Sequence, residues 1–153
     1  MQEEFGRLHA IDDSSKQPHP TWPLSECNSA GSELGKRRVL VVDDEKRIAD
    51  TLCEILALSG FEARAAYDGW MALDVAKRFH PDYLLSDVLM PRMNGVELAI
   101  AVRNILPAAK IMLISGQVGI SAILDAGHKR GFTFELIAKP IHPAELIEQL
   151  KML

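Results

Sequence analysis

Two cysteines in 153 residues, Cys27 and Cys53, are too few for a disulfide framework or a thiolate zinc site. Cys53 falls at an apolar position of a helical pattern and is expected to be a buried thiol. No apolar run approaches the roughly 18 to 20 residues that a membrane-spanning helix needs. The opening MQEEFGRLHA has acids where a signal peptide has a basic region, and no apolar core follows. These absences point to a cytoplasmic protein. A basic surplus is missing too: 17 Lys and Arg face 21 Asp and Glu, for a net charge of −4, which supplies no electrostatic footprint for nucleic acid. The short runs Lys36-Arg37-Arg38 and Lys129-Arg130 read as solvated segment ends. What is present, 48% apolar and 25% charged residues, is ordinary for a globular chain and excludes wholesale disorder.

Residues 1–36 differ from the rest. Pro18, Pro20, Pro23, several serines and scattered charge interrupt any sustained period of 2 or 3.6. Such a stretch buries too little apolar surface to offset its ordering entropy, so it is expected to be a flexible extension. Phe5, Leu8, Ile11 and Trp22 are its candidates for docking elsewhere.

From Arg38 onward short apolar runs alternate with amphipathic stretches. Val39–Val42 reads as a buried parallel strand running into acids. Ile48, Leu52, Ile55 and Leu56 mark a helix that Gly60 stops. Phe61–Ala66 is a second strand, closed by the turn pair Asp68-Gly69, and Trp70–Phe79 a helix before Pro81. Tyr83–Leu85 is a third strand running into Asp87. Asn94 is placed to cap a helix from Gly95 to Leu106. Ile111–Ile114 is the fourth strand, with a weaker helix over Ile120–Ala126. Leu136–Ala138 is the fifth strand, and Pro143 starts a last helix carrying Leu146, Ile147 and Leu150. Five strands alternating with five helices imply an α/β, doubly wound parallel sheet with helices on both faces.

Ligand sites of open α/β sheets lie beyond the carboxyl ends of the strands. There the chain places Asp43-Asp44-Glu45 after strand one, Asp87 after strand three, Ser115 after strand four and Lys139-Pro140 after strand five. Crowded carboxylates repel unless a cation is present. An all-oxygen set suits Mg²⁺, which binds one or two carboxylates together with a phosphate. Aspartate is a covalent nucleophile toward phosphoryl groups, and an ammonium and a hydroxyl around the phosphorus are the expected stabilisers. Taken singly, Asp43 and Asp44 also suit capping of the first helix, Lys139 a solvated surface position, and Ser115-Gly116 a loop start.

In this order and spacing, VLVVDDE (39–45), LLSDVLMPRMNG (84–95), MLISG (112–116) and LIAKP (136–140) resemble the receiver domain of bacterial response regulators, over residues 37–153. The resemblance implies a flavodoxin-like sheet of order 2-1-3-4-5. It makes Asp87 the phosphoacceptor, Asp44 the direct Mg²⁺ ligand, Asp43 an acid reaching the metal through water, and the Leu89 carbonyl the remaining protein ligand. Ser115 and Lys139 would bind phosphoryl oxygens, and the Lys139–Pro140 bond would be cis. The implied donor is a sensor histidine kinase or a histidine phosphotransfer protein. The implied output is contact with a downstream protein or onward phosphotransfer, and a dimer through the fourth-helix/fifth-strand face would suit the family. Since no effector module follows the last helix, a stand-alone receiver is expected, one that is no enzyme beyond its own phosphorylation and dephosphorylation.

The chain departs from the family pattern at Leu136, where Tyr or Phe is common, the nearest aromatics being Phe134 and Phe132. That raises a second reading, an interaction scaffold with phosphorylation uncoupled from shape. His128-Lys129-Arg130 adds a positive patch, read as a solvated helix end whose cations complement the dipole. An aspartyl-phosphate phosphatase, a third reading, would need an acid two residues after the nucleophile, where Leu89 stands. Leu89 offers nothing to orient an attacking water, so slow loss of the phosphoryl group is expected.

Overall fold

The computed structural model describes residues 35–116 and 120–153. The stretch before Gly35, with Cys27 and the four docking candidates Phe5, Leu8, Ile11 and Trp22, lies outside the described residues. The elements run β1 (Arg38–Val42), α1 (Lys46–Leu58), β2 (Glu62–Ala66), α2 (Gly69–Phe79), β3 (Tyr83–Asp87), α3 (Gly95–Ile105), β4 (Lys110–Ser115), α4 (Ser121–Lys129), β5 (Glu135–Ala138) and α5 (Pro143–Met152). The five strands form one parallel sheet of order β2-β1-β3-β4-β5, the fold class expected from the alternation of the chain.

The central strands are apolar because both faces are covered. Successive side chains point to opposite sides. Leu40, Val42, Leu84 and Leu113 therefore feed a core layer shared with α2 and α3. Val39, Val41, Leu85, Met112 and Ile114 feed the opposite layer, shared with α1 and α5. On α1 the buried stripe is Ala49, Leu52, Cys53 and Leu56, so Cys53 is a buried thiol. Each fully buried Leu stabilises the fold by about 1.5–3 kcal/mol. On α5 only Leu146 and Leu150 are fully inside, one turn apart.

Helix ends are fixed by local chemistry. Gly60, at φ +96°, follows the end of α1 in the left-handed region that glycine enters without penalty. Asp68 is not part of a turn pair closing β2. It is the N-cap of α2, its carboxylate accepting from the Met71 N–H at 2.8 Å, and the helix starts one residue earlier than its periodicity suggests. At α3, Asn94 and Glu97 form a reciprocal capping box: the Glu97 N–H donates to Asn94 Oδ1 at 2.9 Å and the Asn94 N–H to Glu97 Oε1 at 3.1 Å. The helix after β4 runs on to Lys129 rather than ending at Ala126, yet it buries only Gly127. Ile123 and Leu124 pack against the core, but residues 125–129 carry no large apolar side chain, so the sequence does not mark where the helix ends.

The basic run before β1 is only partly solvated. Arg37 Nη1 donates to the Tyr83 hydroxyl at 2.6 Å and lies over that ring, and Arg38 Nη1 donates to the Phe79 carbonyl at 2.8 Å. Both arginines tie the start of β1 to its neighbours. His128, Lys129 and Arg130 are exposed at the end of α4.

Candidate functional site

Parallel register sets which residues meet beyond the strand ends. Val42 pairs with Ser86 across β1 and β3, Asp87 with Ile114 across β3 and β4, and Ser115 with Ala138 across β4 and β5. The residues after β1 and β5 and the last residue of β3 therefore share one edge. Asp43 is buried, and its Oδ1 accepts the Glu45 N–H at 2.9 Å, whereas Asp44 is exposed. The N-cap of α1 is Glu45, which makes no side-chain capping bond, so neither aspartate is the helix cap. Carboxylate oxygens of Asp43, Asp44 and Asp87 all lie within 4.8 Å of one another.

Lys139 reaches into this cluster from β5. Its Nζ is 3.4 Å from Asp43 Oδ2 and 3.6 Å from Asp87 Oδ1. Its backbone N–H donates to the Ser115 carbonyl at 3.0 Å, and the Lys139–Pro140 bond is cis. A Cβ on Gly116 would stand 3.1 Å from the Lys139 Cβ, so the absence of a side chain at 116 leaves room for the lysine stem. Ser115 itself is buried at the end of β4.

The Asp87 side is clamped by backbone. The Gly95 N–H donates to the Val88 carbonyl at 2.7 Å, and a Cβ on Gly95 would fall 2.2 Å from the Asp87 carbonyl oxygen. Only glycine lets the start of α3 approach β3 this closely. The intervening loop is held further by Arg92, whose Nη2 is 3.8 Å from Asp68 Oδ2, and by Met93, which packs on the bare Cα of Gly69.

Burial disfavours the charged form of Asp87 and raises its pKa from 3.8 to about 6; Lys139 opposes the rise, while Asp43 and Asp44 add to it. A cavity of about 450 Å³ opens over the cluster, lined by Asp43, Asp44, Glu45, Asp87, Leu89, Gly116 and Lys139. Leu89 is 39% exposed there. Glu45 and Gly116 are the lining residues that chemistry alone did not single out; the signal was their position next to Asp44 and Ser115. A buried carboxylate with two acidic neighbours is short of positive charge, and its donors are all hard oxygens. That set fits Mg²⁺.

Leu136, on the edge strand β5, is 44% exposed. Phe132 and Phe134 stack with ring centroids 6.1 Å apart, and the Arg103 guanidinium sits 5.7 Å from the Phe134 centroid. None of these rings is among the residues that line the acidic cavity. Among the described residues no helix is long and apolar enough to cross a membrane.

Comparison with known proteins places this geometry in context. A family model, the response regulator receiver domain, matches residues 39–151. A response regulator receiver protein of Anaeromyxobacter sp. is 37% identical over 112 residues, covering 73% of this chain and 46% of that protein. Response regulator MprA of Mycobacterium avium is 32% identical over 119 residues, 76% of this chain and 50% of its own length. The chain thus spans about half the length of these curated relatives. Among solved structures, the chemotaxis protein CheY4 of Vibrio cholerae superposes with a TM-score of 0.69 at 28% identity, covering 77% of this chain and 98% of that one. The receiver domain of NtrX from Brucella abortus gives 0.65 at 29%, covering 74% and 95%.

Proposed function

Because the chain belongs to the response regulator receiver family, we propose that it accepts a phosphoryl group on Asp87 from a phosphohistidine donor in a Mg²⁺-dependent reaction. The observation that supports this most is the meeting of Lys139 Nζ, 3.6 Å from Asp87 Oδ1, with three carboxylates whose oxygens lie within 4.8 Å. An ammonium beside an acidic cluster is what a dianionic phosphoryl group and a divalent ion need together.

In the transfer, a carboxylate oxygen of Asp87 attacks phosphorus, the P–N bond of the phosphohistidine breaks, and its electron pair returns to the imidazole. Aspartyl phosphate results. Asp87 must be ionised, and with a pKa of about 6 it is mostly so at neutral pH. Lys139 neutralises charge on the phosphoryl oxygens, with the Ser115 hydroxyl the second donor. Asp43, Asp44, Asp87 and the Leu89 carbonyl would hold Mg²⁺, which when bound neutralises charge on the phosphoryl oxygens.

Residues 1–36 form an extension and 37–153 the receiver domain in this reading. The protein works in the cytoplasm as a receiver. Its donor is a sensor histidine kinase or histidine phosphotransfer protein, and its output passes to a downstream protein or by onward phosphotransfer. The only chemistry assigned to it is gain and loss of its own phosphoryl group.

The test is incubation with acetyl phosphate and Mg²⁺ followed by phosphate-affinity gels of wild type and Asp87→Asn. A retarded band in wild type alone is expected; equal labelling of both proteins discards the assignment. The exposed Leu136 favours a second reading, a scaffold whose shape does not follow its phosphorylation. Amide shifts with beryllofluoride decide: changes confined to the cavity favour the scaffold, and changes reaching α4 favour a switch.

A further inference from the structure

We propose that the end of the molecule opposite the acidic cavity seats on an anionic lipid surface. Each helix carries the chain back from the end of one parallel strand to the start of the next, so strands start and helices finish at the same end of the fold. That end is basic. Lys77 and Arg78 lie in the last turn of α2, Arg103 in that of α3, Lys129 in that of α4 with Arg130 next, and Lys151 in that of α5. Lys36, Arg37 and Arg38 lead into β1, and Lys110 starts β4.

Acid does not offset this charge. The last turns of the described helices contain none. Among the strand starts, Glu62 lies 3.7 Å from Arg38 and 3.9 Å from Arg64, and Asp82 accepts the Arg38 N–H at 2.9 Å. Glu135 is the remaining acid there. Lys36, Lys77, Lys129, Arg130 and Lys151 are exposed and form no ion pair among the described residues.

The cations also group into clefts of headgroup size. Arg37 and Lys151 line one of about 370 Å³, with Ser59 and Gly60. Arg103 and Lys110 line another of about 400 Å³, with Thr133 and Glu135. Leu153, whose carbonyl accepts from Lys110 Nζ at 2.8 Å, lines the second cleft two residues beyond the Lys151 of the first.

A cation in a helix's last turn complements the dipole, and charge alone would leave this end simply solvated. The exposed aliphatic side chains choose the occupant. Leu58 ends α1 and is 89% exposed, Ile105 ends α3 and is 41% exposed, and Met152 ends α5 and is 80% exposed. Single exposed apolar residues are ordinary; three at one end of the fold, set among cations, have the chemistry of an interfacial lipid contact. The helices α1 and α5 cover one face of the sheet and α3 the other. Contact points on both sides of the sheet suit a plane better than a peptide in a groove. A nucleic acid would engage the cations and leave the aliphatic groups in water. Seated on lipid, the fold would hold its acidic cavity away from the surface and open. The seating itself does not rest on the receiver reading.

The experiment is cosedimentation of the full chain with vesicles of phosphatidylcholine, alone or mixed with phosphatidylserine. Binding to the mixed vesicles only is expected, falling steeply with salt. Each Lys or Arg near an anionic surface strengthens binding roughly fivefold, so Lys129→Gln/Arg130→Gln should weaken it roughly twentyfold. The exposed pair Lys46 and Arg47 at the cavity end gives the matched control, and Lys46→Gln/Arg47→Gln should bind as wild type does. Leu58→Ser/Met152→Ser should weaken binding roughly tenfold with thermal unfolding unchanged. No sedimentation with the mixed vesicles overturns the proposal, as does equal loss from the two charge variants. So does undiminished vesicle binding by Leu58→Ser/Met152→Ser together with retention of duplex DNA by the wild type, because that assigns the basic end to polyanions and not to lipid.

Discussion

Replacing Asp87 by Asn should stabilise the fold without metal, and the gain should follow pH. In the native state burial raises the Asp87 pKa from 3.8 to about 6. The folded protein then holds this proton more tightly than the unfolded chain does. The resulting destabilisation is absent below the unfolded pKa, grows as pH rises from about 3.8 to 6, and is complete above. At about 1.4 kcal/mol per pH unit, the full cost approaches 3 kcal/mol. Asn carries no charge and escapes it. For a domain of this size that corresponds to a rise in Tm of roughly 10 °C. The assay is thermal unfolding by circular dichroism in chelator, for wild type and Asp87→Asn, at about pH 7.5 and about pH 4. The variant should be the more stable by up to about 3 kcal/mol at the higher pH and by less than about 1 kcal/mol at the lower. Saturating Mg²⁺ should then narrow the difference, because a ligand at 100 times its Kd stabilises the native state by about 2.7 kcal/mol and the acidic triad of the wild type binds it better. A variant no more stable than wild type at neutral pH, or a gain equal at both pH values, would refute the claim that Asp87 ionises at a cost in its buried position.

Other consequences are sharper in space. Leu89→Asn, which places an amide at the lip of the cavity, should speed loss of the phosphoryl group on the order of tenfold by orienting water; the labelled band is followed after donor removal, and an unchanged half-life contradicts the role given to Leu89. Gly95→Ala drives a methyl toward the Asp87 carbonyl oxygen, 2.2 Å from its ideal position. Such overpacking should cost about 1–3 kcal/mol in urea unfolding and weaken Mg²⁺ binding, measured by titration calorimetry. Asn94→Ala removes the capping box of α3 and should lose about 1 kcal/mol, with labelling by acetyl phosphate retained.

The central architecture was legible because burial on both faces writes itself as apolar runs. Val39–Val42, Tyr83–Leu85 and Ile111–Ile114 admit few other readings, and the acids that follow the first two runs stand out against them. The convergence of Asp43, Asp44, Asp87 and Lys139 followed from the topology, since parallel strands deliver their ends to one edge. Less was legible where a residue's role depends on a distant partner. Asp68-Gly69 has the composition of a turn, yet Asp68 caps α2 and Gly69 makes room for Met93, 24 residues later in the chain. Arg37 and Arg38 look solvated until β3 and α2 bring Tyr83 and Phe79 beside them. The end of α4 was blurred because its last residues, 125–129, include no large apolar side chain to mark a buried face.

Where the phosphoryl group goes can be read directly. After incubation with acetyl phosphate and Mg²⁺, borohydride reduction converts an aspartyl phosphate to homoserine, and peptide mass spectrometry locates the altered residue. Homoserine at position 87, and at neither 43 nor 44, is the predicted result. Reduction at another carboxylate, or none while the protein is folded and Mg²⁺ is bound, would contradict the assignment of Asp87 as acceptor.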